Sequence, residues 1–140
     1  MGRTEHIGFL SDLDLFSGCS KKELDHIARV ADEVDMAAGA VIVDQGDQGT
    51  ETFVVLAGEA VVKRNGRKIA TLGAGDSIGE LSLLDHGPRT ATVVADSDVK
   101  LLRIKSRDFQ KILKDSPTIA IKLAGTLASK VRDLDRKIFG

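Results

Sequence analysis

The spacing of apolar residues changes twice along the chain, from helical to alternating and back to helical. Between Ile7 and Phe16 the residues Phe9, Leu10, Leu13 and Phe16 recur at helical intervals, and Gly18 is placed to end the segment. Ser20-Lys21-Lys22-Glu23 has the form of a capping box, in which the serine and glutamate side chains each satisfy a free backbone donor. It predicts a second helix with Leu24, Ile27, Ala28 and Ala31 on one face. After Ala31 the period falls to two. Val34 and Met36 alternate with Asp35, and Val41 and Val43 sit in a β-branched run ending at Asp44-Gln45-Gly46. Thr50 to Ala57 predicts a strand, Gly58 a turn and Ala60 to Lys63 its partner, and Asn65-Gly66 signals a tight hairpin before Arg67 to Leu72. Gly73-Ala74-Gly75-Asp76 then turns the chain into the stretch Ile78 to Thr92, and Thr90 to Ala95 and Val99 to Ile104 follow as two more strands.

Helical spacing returns at the end. Ser106 is placed to cap Arg107 to Lys114, with Phe109, Ile112 and Leu113 facing inward, and Ser116-Pro117 sets a cap and a first-turn proline at the head of a last helix. Its apolar stripe, Ile119, Leu123, Leu127, Val131, Leu134 and Ile138, needs something to cover it. A helix of about 20 residues spans roughly 30 Å, longer than the body of a small domain requires. The pattern predicts a mainly β fold with flanking helices, a sandwich or jelly roll: helices in 1–31, strands in 32–105 and helices in 106–140.

Composition narrows the function more than the fold. At 140 residues there is room for one compact domain. A net charge of −1, from 20 basic and 21 acidic residues, gives no excess that marks a binder of nucleic acid or of an acidic membrane. No apolar run approaches the ~18 residues that span a bilayer, and the polar start Met1 to His6 is no signal peptide. Cys19 is the only cysteine, which excludes an internal disulfide and suits a reducing, cytoplasmic setting. His6, His26 and His86 lie far apart and outside the predicted strands, so no metal site is expected. Gly73-x-Gly75-x-x-x-Gly79 has one residue too many for a dinucleotide fingerprint, no lysine follows a glycine-rich loop and no serine stands in a nucleophile elbow. Catalysis is not expected.

The candidate chemistry lies in Ile78 to Thr92. Gly79 lets the backbone approach a ligand closely, and Leu81 to Leu84 is long enough for one helical turn, whose free N–H groups suit an anion. Arg89 brings a fork of donors that fits two phosphate oxygens. Glu80 cannot bind a phosphate, so its oxygens must serve a donor such as a sugar hydroxyl. Phosphate and hydroxyl together suggest a nucleotide. A plain ion pair between Glu80 and Arg89 beneath a turn is the competing reading.

The same residues resemble the phosphate-binding cassette of the cyclic nucleotide-binding domain family, Phe-Gly-Glu-Leu-Ala-Leu, a short gap, then Pro-Arg-Ala/Thr-Ala-Thr. Here the chain has Gly79-Glu80-Leu81-Ser82-Leu83-Leu84 and Pro88-Arg89-Thr90-Ala91-Thr92, with Ile78 in place of the usual phenylalanine. Leu15 to Leu24 is similar to the family's lead-in, and Gly46, Gly58 and Gly75 fall at its turn glycines. The resemblance implies an antiparallel double-stranded β-helix with a cassette at 78–92, binding cAMP or cGMP without a metal. Glu80 would take the ribose 2′-hydroxyl, Arg89 the cyclic phosphate, and the backbones of Gly79, Leu81, Ser82 and Thr90 the other polar atoms. Ile78, Lys130 and Arg132 are candidate base contacts, the latter two from a C-terminal helix that closes as a lid. Thr90 stands where a hydroxyl either meets the guanine amino group or turns to the phosphate; the second option favours cAMP over cGMP.

Expected partners are an effector protein or domain, and a second copy through the C-terminal helix. Two alternatives stay open: a non-binding scaffold of the same fold, and the sensor fragment of a channel, enzyme or transcription regulator.

Overall fold

Two strands carry no alternation because both of their faces are buried. In the computed structural model, which describes all residues from Met1 to Gly140, β3 (Glu51–Ala57) sends Phe53 and Val55 into one core and Val54 and Leu56 into another. β8 (Val99–Lys105) does the same, with Val99 and Leu101 on one side and Leu102 and Ile104 on the other. These strands form an antiparallel sheet in the order β1-β8-β3-β6, with β1 at Asp32–Met36 and β6 at Ser77–Ile78. A second antiparallel sheet, β2-β7-β4-β5, comprises Val41–Val43, Thr92–Ala95, Ala60–Arg64 and Arg67–Leu72. One core fills the roll between the sheets; the other lies between the first sheet and the helices. This is the antiparallel β-roll with flanking helices expected above. Gly46, Gly58 and Gly75 all have φ near +90°, and at Gly58 a methyl group would overlap the Asp98 carbonyl.

The N-terminal segment differs from the expectation of one helix over Ile7 to Phe16. α1 spans Arg3–Ser11, Leu13 is extended (ψ 132°), and Asp14–Phe16 forms a separate 3-10 turn. Burial explains the break: Leu10, Leu13, Leu15 and Phe16 all enter the core, whereas a continuous helix would aim Leu15 away from the other three. α2 (Lys21–Ala28) starts as predicted, Ser20 N–H donating to Glu23 Oε1 at 2.8 Å and Glu23 N–H to Ser20 Oγ at 3.2 Å.

At the other end, Ser106 is not a cap. It is the first residue of α3 (Ser106–Asp115), almost wholly buried, and its hydroxyl donates to the Ser82 carbonyl at 2.8 Å. Ser116 precedes α4 (Pro117–Phe139) but caps it with no side-chain bond. α4 runs unbroken for 23 residues, about 35 Å. Ile119 and Leu123 are buried in the helical core and Leu127 packs against it, while Val131, Leu134 and Ile138 are exposed. No helix is long and apolar enough to cross a membrane.

Candidate functional site

The turn Gly73 to Asp76 aims the chain into the site. Gly75 N–H donates to the Val55 carbonyl and Val55 N–H to the Asp76 carbonyl, which holds the turn on β3. After β6 the backbone reverses at Gly79, whose φ of 69° and ψ of 39° lie in the left-handed region. Its carbonyl accepts from the buried Thr52 hydroxyl at 2.6 Å. Glu80–Leu83 then forms a single 3-10 turn, which sends Leu83 into the helical core and leaves Leu81 at the lip of a cavity of about 460 Å³. Val43, Val62, Leu72, Ile78 and Val93 give that cavity apolar walls, and Gly79, Glu80, Ser82, Arg89 and Thr90 converge on it. Its size and mixture of walls suit a small organic anion. Of the residues expected at the site, the structure brings all but Lys130 and Arg132 to this cavity.

Glu80 and Arg89 do not pair with each other, which removes the plain ion-pair reading. Glu80 Oε2 accepts from Leu15 N–H and Oε1 from the Ser77 hydroxyl, both at 3.2 Å. Arg89 Nη1 donates to Ser82 Oγ at 3.1 Å and Nη2 to the Glu51 carbonyl at 2.5 Å. The Arg89 backbone is clamped as well, its N–H bonded to the Asp47 carbonyl and its carbonyl to Gly46 N–H. Burial holds the guanidinium below the usual arginine range, with the charge of Glu51 opposing that shift. A partly desolvated cation whose fork meets only neutral acceptors is a seat for an arriving anion. Glu80 stands apart from it, each carboxylate oxygen on one neutral donor.

That arrangement separates the two side chains by test. Glu80→Gln retains one acceptor but presents an amide donor to either Leu15 N–H or Ser77, so affinity for a ligand that offers both a hydroxyl and a phosphate should fall by about three- to tenfold. Calorimetry on the variant decides it, and an affinity equal to that of the unmodified chain would remove Glu80 from the ligand.

Several contacts were not visible in the sequence. Ser82 N–H donates to the Gly79 carbonyl at 2.9 Å, so what Ser82 presents to Arg89 is its hydroxyl. His86 Nε2 lies 3.1 Å from Ser106 Oγ, tying the cassette to the head of α3. Lys130 is held by Asp14, Nζ to Oδ2 at 2.9 Å, and its pKa is raised by that bond. Arg132 is exposed. Neither lines the cavity, because α4 lies across the 3-10 turn Asp14–Phe16 and not over the roll's mouth. A second ion pair, Lys122 to Glu23 at 2.6 Å, holds α4 to α2. No cluster of three or more His, Cys, Asp or Glu able to hold a metal is present.

A β-roll with an anion fork, a separate carboxylate and apolar walls, flanked by helices that share a core with the binding turn, defines a ligand-sensing module. The chain belongs to the cyclic nucleotide-binding domain family, whose profile matches residues 33–116. It is 33% identical over 129 residues to the cyclic AMP receptor protein of Thermus thermophilus, covering 89% of this chain and 60% of that protein. Among solved structures it resembles the N-terminal domain of a transcriptional regulator from Streptomyces coelicolor, with a TM-score of 0.84, 33% identity, and coverage of 91% of this chain and 95% of that one. It also resembles the regulatory domain of Toxoplasma gondii PKA co-crystallised with cAMP, with a TM-score of 0.72, 26% identity, and coverage of 94% and 50%. Across five curated relatives the chain spans between 24% and 60% of their lengths.

Proposed function

We propose that the cavity binds a cyclic purine nucleotide, cAMP in preference to cGMP, and that the chain works as one sensing unit whose C-terminal helix moves on binding. The observation that carries this reading is the unpaired state of Arg89, half-buried with its fork on a hydroxyl and a carbonyl. A cyclic phosphate replaces those neutral acceptors with charged ones, which makes the bonds roughly twice as strong. Glu80 takes the ribose 2′-hydroxyl; Gly79 and Leu81 line the close approach; Ser82 and Thr90 turn their hydroxyls to the phosphate, and Ile78 forms the apolar floor. The preference for cAMP draws support from the names of two of the relatives above.

The route to α4 starts at Glu80. When its carboxylate turns to the ribose it competes with the bond from Leu15 N–H, and Leu15 belongs to the 3-10 turn on which α4 rests. Arg89 drawn toward a phosphate releases Ser82, whose carbonyl is bonded to Ser106 at the head of α3. Leu83, Phe109, Ile119 and Leu123 share one core, so the binding turn cannot shift without the helices. α4 then leaves Asp14 and covers the base, with Lys130 and Arg132 reaching the purine. The shift is limited by the difference in the ligand's affinity for the two arrangements. An effector domain or protein, or a second copy docked on Val131, Leu134 and Ile138, reads the movement.

Hydrogen exchange with and without cAMP tests both parts. The largest changes are expected in residues 78–92 and from Leu123 to Ile138. No change in the cassette sinks the binding site in favour of a silent scaffold. A changed cassette beside an unchanged helix sinks only the movement, leaving α4 a fixed strut.

A further inference from the structure

Four cations crowd one hairpin with no carboxylate to neutralise them. β4 ends in Lys63 and Arg64 and β5 begins with Arg67 and Lys68, and the ladder sets Lys63 directly opposite Lys68 and Arg64 opposite Arg67. All four are exposed, and none enters an ion pair. No acidic residue lies between Glu59 and Asp76, and Asp44, just past the end of β2, accepts the Thr92 hydroxyl at 2.7 Å. Like charges directly opposite in a ladder are destabilising, and here two such pairs stand in succession. Guarding a free sheet edge explains the charges on β5, which is an outer strand. It does not explain those on β4, which lies between β7 and β5.

The sheet face that carries the two lysines is otherwise apolar. Ala60, Val93 and Ala95 point into the roll, so the alternating Val61, Lys63 and Val94 point away from it, and the register sets Val41, Val94, Val61 and Thr71 in one row across four strands. Val61 belongs to neither core, and Val41 at one end of the row is 55% exposed. The core beneath the helices takes its strand residues from the first sheet alone, which leaves this face without a layer over it. We propose that it docks an acidic protein segment, whose carboxylates bridge Lys63 and Lys68 and whose apolar side chains lie on Val41, Val94 and Val61. A nucleic acid fits less well: the hairpin has no aromatic ring on which a base could stack, and with four positive charges here and a net charge of −1 the rest of the chain is net acidic. A lipid surface fits less well too, since the tip from Arg64 to Arg67 offers no apolar side chain to insert. Neither lysine lines the cavity, so the docking does not depend on what the cavity holds.

The test titrates a short labelled peptide of glutamates interrupted by leucines against the unmodified chain and a variant carrying Lys63→Gln and Lys68→Gln. A labelled single-stranded oligonucleotide and phosphatidylserine vesicles run beside it. The peptide should bind the unmodified chain, more weakly as salt rises, and should lose about tenfold in affinity for the double variant. Val41→Ser should weaken it by about threefold, as should serine in place of the peptide's leucines. Lys68→Glu adds a second readout, because it sets a carboxylate opposite Lys63. Peptide binding should then be lost while the melting temperature rises by about 2–4 °C. Absence of peptide binding, equal binding by the double variant, tighter binding of the oligonucleotide or the vesicles, or a melting temperature that fails to rise in Lys68→Glu overturns the proposal.

Discussion

Arg89→Ala is expected to lower cAMP affinity by tenfold or more while leaving the fold nearly as stable. The binding loss follows from removing two charge-assisted bonds to the phosphate, of which each is worth about 1.5 to 3 kcal/mol when the donor is charged. The stability change should be small, within about 1 kcal/mol, because the groups left behind, Ser82 Oγ and the Glu51 carbonyl, border a cavity that water can enter. Relief of the burial cost of the guanidinium offsets part of even that loss. Arg89→Lys should fall between the two, retaining charge without the fork. Calorimetric titration together with a melting curve reads both quantities. Affinity near that of the unmodified chain in Arg89→Ala would remove the phosphate from this position.

Gly79→Ala should damage binding about as severely by a different route. A side chain at φ 69° costs about 1 to 2 kcal/mol, and the added methyl would overlap Arg89 Nη1. Arg89 can swing away, so the chain should still fold, with a melting temperature lower by about 3–8 °C. The guanidinium, however, loses its seat and cAMP affinity should fall tenfold or more. Gly39→Ala supplies the comparison: φ is also positive there, at +90°, but no atom lies within 4 Å of the added methyl. It should show a similar loss of stability with unchanged affinity. If both variants bind equally well, crowding at Arg89 has no part in recognition.

What the sequence revealed and what it concealed divide along physical lines. Capping of α2, the Asn65-Gly66 hairpin and the turn glycines depend on residues close in the chain, so pattern reading located them. The cassette residues were also visible, because Gly79, Glu80 and Arg89 differ so sharply in chemistry. The break after Ser11 was not visible, since it depends on the core Leu15 enters, which lies far along the chain. Ser106 looked like a cap because a serine before a helix usually is one, and only the fold shows the Ser82 carbonyl it satisfies. The partners that hold the site in its present state, Leu15 N–H and the Glu51 carbonyl, are backbone atoms that no sequence pattern specifies. Lys130 stands away from the cavity in the present arrangement for a related reason: its position along α4 could be counted, but the side of the domain on which α4 docks is fixed by Ile119 and Leu123.

In the proposed function Glu80 and Arg89 grasp a ribose hydroxyl and a cyclic phosphate of one molecule. Both must be met at once, and only a 3′,5′-cyclic phosphate holds its oxygens rigidly beside the free 2′-hydroxyl. The direct measurement is calorimetric titration of the unmodified chain with cAMP, using 5′-AMP as the open-phosphate comparison. One cAMP per chain, bound at least tenfold more tightly than 5′-AMP, is the predicted result. No saturable binding of cAMP, or equal binding of the open nucleotide, would contradict it.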